Sequence, residues 1–489
     1  MTARSTTAAL PVPAAGSADA IHALLAAGSI ANVSLVSAVD SPGIDKKAAR
    51  LLDALAAILV SRAQHEVIAI GAQVQHSNDL SDHSGKLQLV LAANAALPQT
   101  IQAYLEEVWK CMQLLAERRQ QLRPPEAKDQ QRARMAGLIY RHNFPKFLRR
   151  VRKREAAALR FVEAMRNHVT GEDVLQYGST AAVISMLNSY SKLIDLLSAH
   201  QVGGKNEVSV DVVSDPDFLP IMDGLWLAFR ILRSLGDHSF HLWGLRLPDH
   251  STVALWRFFN KVTLIHGSIA ELESAACSTR LYRLFRKKLF VEIVDHPRMT
   301  VTLPTSKDAW VTLIDMALNT AQPLKPIEPR VIQSTAAALS TRFSDKSVSC
   351  EIHCECKILQ RFATTTTYKI KPINYIGVSK LSCTGCTAVF DSYNELQNSQ
   401  GHRFYTRGAH GKWYFPWFLP KVGGGEKQID FTNRVYMKLA GQYAQYLKTV
   451  ALSDSGALSE GSQEVSAGTP EDFMFLEANA LELLDKIKA

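Results

Sequence analysis

The chain has 489 residues, 47% of them hydrophobic and 21% charged, with a formal net charge of +9. That balance and its Trp 7, Tyr 13 and Phe 19 exclude a solvated, disordered chain, and the length fits two or three domains of about 100–200 residues. No apolar run reaches the ~18–20 residues of a membrane span, so no membrane partner is expected.

Residues 1–20 carry one Arg and no acid before Asp19. They lack the charge of a transit peptide and the basic start and apolar core of a secretory signal. A soluble intracellular protein, cytoplasmic or nuclear, is expected. Leu51–Arg62 is apolar at helical spacing, and Glu66–Val74 with Leu87–Ala93 reads as two strands. Ile101–Leu122 predicts a helix ended by Pro124-Pro125. Phe144–His168 predicts one long basic helix, and Ala181–His200 another that stops at Gly203-Gly204. Val208–Val213 is strand-like, whereas Phe218–Leu235 and Ala254–Ala276 are strongly apolar helices. Leu289–Val294 and Thr300–Leu303, joined through His296-Pro297-Arg298, read as a hairpin.

All of the excess charge sits in this first part. Arg118–Arg166 holds 15 Lys+Arg and 4 Asp+Glu, which leaves 40 basic and 42 acidic residues elsewhere. Such a stretch can neutralise phosphates, so nucleic acid is a candidate partner; the alternative is a solvated helical face. His238, His241 and His250 with Asp237 and Asp249 share no helical register and read as surface loop residues.

The pattern changes near residue 326 to alternating units. Val331–Arg342 predicts a helix, Val348–Ile352 a strand, His353–Phe362 a helix and Ala363–Pro372 a loop. Ile373–Lys380 then predicts a strand, Cys383–Leu396 a helix, His402–Thr406 a strand and Phe431–Leu447 a helix. Alternation of this kind implies a layered α/β domain. The expected organisation is a mostly α-helical region over 1–325 and an α/β domain over 326–450. A flexible Ser/Gly-rich linker over 453–470 and an amphipathic helix over 471–489 follow.

The seven cysteines are clumped: Cys350, Cys354, Cys356, Cys383 and Cys386 fall within 37 residues. An odd total in a chain expected to be intracellular points to metal chemistry rather than disulfides. The informative pattern is His353-Cys354-Glu355 followed by Ser382-Cys383-Thr384-Gly385-Cys386. Cys383 and Cys386, three apart, share a helix face, and a helix start favours thiolate. One imidazole and two thiolates make a neutral three-ligand Zn²⁺ site whose fourth position stays open for water. Zinc lowers the pKa of that water, and an adjacent Glu355 can carry its proton. A closed structural site formed by Cys350, His353, Cys383 and Cys386 is the competing arrangement on spacing alone. Cys354 and Cys356 read as small core residues.

H-x-E followed by C-x-x-C resembles the signature of the zinc-dependent nucleoside and nucleic-acid deaminases. His353–Leu359, Pro372–Cys386 and Phe404–Trp413 look like a branch common in fungi that carries a long helical N-terminal region. The resemblance spans about residues 330–420. It implies a cytidine deaminase-like three-layer α/β fold with zinc as cofactor, held by His353, Cys383 and Cys386. It further implies Glu355 as proton shuttle and hydrolytic loss of ammonia from cytosine or adenine in a nucleobase-containing substrate. This sequence departs from the pattern at Ser382, where the superfamily usually has Pro; Ser can cap a helix. Tyr405, Arg407, His410 and Lys412 are candidate substrate-binding residues, able to stack on a base or hold a phosphate. Their alternative is a strand and turn with an aromatic plug at Trp413.

Overall fold

The computed structural model describes residues 12–30, 44–62, 66–74, 85–120, 125–168, 178–203, 207–234, 252–322, 326–344, 347–365, 371–397 and 401–454. The expected linker at 453–470 lies almost wholly outside them, as do the tail helix at 471–489 and the histidines at 238, 241 and 250. In chain order the elements begin with α1 (Ala18–Ser29), α2 (Lys46–Ile58), β1 (Ile68–Val74) and β2 (Lys86–Ala93). Then come α3 (Ile101–Gln120), α4 (Pro125–Arg152), α5 (Glu155–His168), α6 (Gly178–Ala199), α7 (Phe218–Ser234), α8 (Thr252–Ala276) and α9 (Tyr282–Phe285). The remainder is β3 (Lys288–Ile293), β4 (Met299–Thr302), α10 (Lys307–Ala321), α11 (Pro329–Arg342), β5 (Ser347–Cys350), α12 (Cys354–Thr364), β6 (Lys371–Pro372), β7 (Gly377–Val378), α13 (Thr384–Glu395) and α14 (Gly425–Asp454).

The chain divides into two compact units. Met1–Asp53, Val67–Ala96 and Phe290–Ala467 supply one; Ala54–Glu66, Leu97–Leu289 and Gly468–Ala489 supply the other. No unit boundary falls at residue 326. The expected α/β segment 326–450 shares its unit with α1, with β1 and β2, and with residues 290–325, because the sheet takes its central strands from far upstream.

The second unit is helical among its described residues. Pro125 opens α4 at a position where its missing N–H costs nothing, so α3 and α4 follow in close succession. The single basic helix expected over 144–168 is two helices. Arg149, Arg150, Arg152, Lys153 and Arg154 crowd five positive charges into six positions, and α4 ends among them. Glu155 then starts α5 with an acid in its first turn, which the helix dipole favours. The strand expected at 208–213 is also absent; Val210–Ser214 is a 3₁₀ turn and Val208 makes only a bridge to Gln201. Ser209 Oγ accepts from the Asp211 N–H, a local bond that competes with strand pairing.

The first unit is mixed α/β, as expected. Its sheet has the order β3-β2-β1-β6, and β7 also pairs with β1. β1 and β2 run antiparallel from Ile68↔Ala93 to Val74↔Leu87. β6 pairs at Gln73↔Pro372, and β7 at Ile70↔Gly377, on the same neighbour. Of the strand expected over 373–380 only β7 forms, and β6 falls at the end of the expected loop 363–372. The expected hairpin of 289–294 with 300–303 does not form. β3 joins β2, whereas β4 pairs with β5 from Met299↔Cys350 to Thr302↔Ser347. Both segments are strands, but their partners are elsewhere, in two separate sheets. Residues 402–406 make only a parallel bridge, Tyr375↔Tyr405.

α12 packs on β1 and β2, while α14 packs on α1, α10 and α13. Gly71 permits the closest of these approaches: a Cβ there would lie 2.7 Å from the Phe362 ring. Ile358, Leu359, Phe362, Trp310, Trp417 and Tyr443 fill the core between the layers. The starts of α12 and α13 lie within this core.

Candidate metal centre

Helix starts usually carry Ser, Thr, Asp or Asn, whose side chains satisfy free N–H groups. Here the N-cap of α12 is His353 and that of α13 is Cys383, and neither side chain caps its helix. Both are left for other work. Cys386 sits one turn into α13, on the same face as Cys383.

The three side chains converge. His353 Nδ1 lies 3.5 Å from Cys383 Sγ and 3.3 Å from Cys386 Sγ, and the two sulfurs are 3.4 Å apart. Tetrahedral ligands bound at ~2.0–2.3 Å would be spaced roughly 3.3–3.8 Å. Imidazole and two thiols are also the donors zinc takes, so the residues fit the ion in both geometry and chemistry.

The Cys383 thiol is held well above its ordinary range by its bond to Cys386 and by burial; burial does the same to Cys386. Burial works against a charged His353, but the Cys383 charge and hydrogen bond, with the Glu355 and Glu351 carboxylates, override it and raise the ring to about 9. A dication bound here would have to displace these protons, because it takes thiolate and neutral imidazole.

Cys350 does not join the cluster. It ends β5, its thiol is buried and pushed up to about 11, and its bond is to the Trp417 backbone. The closed site of Cys350, His353, Cys383 and Cys386 is therefore not assembled: a strand end and a helix start three residues apart send their side chains different ways. Cys354 and Cys356 are fully enclosed; the Cys354 thiol donates to the Val67 carbonyl at 3.2 Å, and the Cys356 thiol lies against Cys386.

Glu355 is buried at the start of α12 and makes no hydrogen bond or ion pair among the described residues. Its charge acts on both His353 and His410. The four other candidates scatter. His410 is half-buried near this centre, its ring pushed down by burial and by Lys412, and its Nδ1 accepts from the Lys412 N–H. The Lys412 side chain is exposed, but its carbonyl accepts from the Thr384 N–H. Arg407 is exposed, and its charge acts on half-buried Asp53. Tyr405 lines a cavity of about 400 Å³ with Asp391, Asn394 and Arg403, and none of His353, Glu355, Cys383 and Cys386 lines it.

Ser382 does not cap α13. Its N–H donates to the Gly408 carbonyl at 2.9 Å and its carbonyl accepts from the His410 N–H at 3.1 Å. A proline could make only the second of these bonds. Its hydroxyl pairs with Thr406 Oγ1. Sequence reasoning missed Trp417, whose Nε1 donates to Cys386 Sγ at 3.5 Å, and His22, whose Nε2 accepts from the Leu419 N–H. Both lie outside the motif, and no local pattern marks them.

With this geometry in place, comparison with known families is decisive. Residues 352–421 match the family model of the OTT_1508_deam-like deaminases. The match identifies this segment as cytidine deaminase-like. It spans His353, Glu355, Cys383, Cys386 and the 405–412 run, and leaves the rest of the chain outside. No curated protein and no solved structure matches the chain.

The basic segment is partly internal. Arg132 pairs with Asp223 and Glu273, Arg152 with Glu155, and Arg141 bonds Ser214. Lys146 is buried, and burial lowers Arg150 to about 10. Among the described residues, no helix is long and apolar enough to cross a membrane.

Proposed function

We propose that the chain is a zinc-dependent hydrolytic deaminase acting on cytosine or adenine in a nucleotide or nucleic acid. The observation that carries this reading is the convergence of His353, Cys383 and Cys386, with an unpartnered, buried Glu355 beside them, inside the segment that matches a deaminase family. His353, Cys383 and Cys386 hold the ion. When bound, zinc supplies Lewis acidity that brings the pKa of a coordinated water near neutrality.

Glu355 has the general acid–base role: its carboxylate takes the proton of the attacking water and delivers it to the departing amino nitrogen. Lacking a competing donor, it is held ready as a base. His410, on which the Glu355 and His353 charges act, is our first candidate for contact with the substrate. Tyr405, Arg407 and Lys412 remain candidates for more distant parts of a substrate.

The test is metal analysis followed by ammonia release from cytidine, adenosine and single-stranded RNA and DNA. One zinc per chain and ammonia from at least one of these is expected. Zinc-loaded protein that releases none, and whose zinc is lost in Cys350→Ser, would instead support a structural site.

A further inference from the structure

The cations of Arg118–Arg166 fall into two groups. Arg132 and Arg152 are matched by Asp223, Glu273 and Glu155 within the helical unit. Others gather where the end of α4 crosses the first half of α8. Arg150 Nη1 donates to the Lys261 carbonyl at 3.2 Å, which fixes the two helices side by side there. Lys153 and Arg154 form the turn between α4 and α5, and Lys261 stands on α8; all three are exposed. Arg257 lies one turn before Lys261 on the same face of α8.

The Lys261 ammonium is pulled down by burial and then by Lys153, Arg150, Arg257 and Arg154, so the charges acting on it most strongly are all positive. The dipole of α4 favours cations in its last turn, which accounts for Arg149, Arg150 and Arg152. It does nothing for Arg257 and Lys261, well inside α8. Two of the five cations are thus outside the basic run and join it only through helix packing. A surface that gathers like charges from separate elements is suited to a polyanion.

We propose that Lys153, Arg154 and Lys261, flanked by Arg150 and Arg257, bind the phosphodiester backbone of single-stranded nucleic acid. The choice of this polyanion rests on the base-deaminase reading above: an enzyme that works on a base within a polymer needs that base unstacked and needs purchase on the phosphates. Backbone contacts of this kind carry affinity without sequence preference, and each one releases counterions.

The experiment uses the full-length, zinc-loaded protein, titrated with labelled oligouridylate and oligodeoxythymidylate across a salt series. Binding to at least one is expected, with log K falling linearly against log salt. The triple variant Lys153→Glu, Arg154→Glu, Lys261→Glu is expected to weaken binding at low salt at least about tenfold. Its salt slope should fall by about 2, at ~0.7 per phosphate contact on a single strand. Zinc content and melting temperature should match those of the parent; if charge reversal lowers melting, the milder Lys→Gln and Arg→Gln triple replaces it.

Three results overturn the proposal: no binding to either oligomer, unchanged binding and slope in the variant, or capture by phosphatidylserine vesicles without oligomer binding. Ammonia release from free nucleosides and from the oligomers is read separately. Salt-dependent binding lost in the variant, with no base deaminated, supports this surface and sinks the catalytic reading instead.

Discussion

Each unit holds a histidine in a polar cluster, and the two clusters are built on opposite plans. In the helical unit every strong group of the His266 cluster has its complement. Tyr140 Oη lies 3.1 Å from His266 Nδ1, His266 Nε2 lies 2.8 Å from Asp223, and Asp223 is also bound by Arg132, which reaches Glu273 at 3.0 Å. The arrangement holds the Asp223 carboxyl down at about 2, its bonds to His266 and Arg132 overcoming an opposing burial effect. In the α/β unit, His353 meets two thiols that resist ionising, and Glu355 has no hydrogen-bond partner among the described residues. A satisfied network ties helices together; donors of one kind converging on one point need a guest. Resemblance to a triad-like His–Asp pair is thus a poorer guide to function than unmet bonding capacity.

The comparison can be broken most forcefully at the metal ligands. Cys386→Ala should abolish stoichiometric zinc binding, measured by atomic absorption, while the same analysis of His266→Phe should show zinc unchanged. Next in size, Glu355→Gln should cut ammonia release by about 10²–10⁴-fold with zinc retained. A variant with parental activity would remove Glu355 from the chemistry. In the other unit, Asp223→Ala leaves His266 without its carboxylate and Arg132 with Glu273 alone; because Asp223 is partly exposed, it should cost about 1–3 kcal/mol of unfolding free energy, read by urea titration. A loss below 1 kcal/mol would show that the network is not what ties α4, α7 and α8.

The smallest expected effect concerns Asp53, which accepts from the Tyr375 hydroxyl at 2.7 Å and the Val378 N–H at 3.0 Å. Burial raises its carboxyl from 3.8 to about 6, against the lowering effects of Arg407 and of these two bonds. A raised acid binds its proton more tightly when folded. Its contribution is therefore fully present below pH 4 and lost as pH climbs through 6. Asp53→Asn should flatten the stability profile between about pH 4 and 6. An unaltered profile would mean that Asp53 titrates normally.

Local signals and non-local ones fared differently in the sequence. Helices were legible because apolar spacing is a property of one segment, and α12 and α13 begin where His353 and Cys383 were expected to start them. The His353, Cys383 and Cys386 cluster was legible for the same reason: its members sit at helix starts, and the C-x-x-C spacing is a helical one. Strand partners were not. β3 and β4 have the composition of a hairpin, yet each pairs with a strand that no nearby residue announces. The same blindness hid the sheet under α12, whose central strands lie more than 250 residues upstream. It also hid the divergence of Tyr405 and Arg407 from His410, because a run without regular structure has no period from which to read direction.

That upstream sheet carries a consequence for how the chain is made. The Ile68 N–H is bonded to Ser379 Oγ, 311 positions later. At ~5–20 residues per second, synthesis must run for roughly 15–60 s before β1 can meet β7. Until β3 emerges, β1 and β2 form at best a two-stranded ribbon, and the outer edge of β1 stays open until β6 and β7 follow. Most of the helical unit emerges during that interval, with mainly short-range contacts to make. Birth of the α/β unit is therefore a problem of waiting, and a chaperone that shields the first ribbon would raise its yield more than one that acts after release.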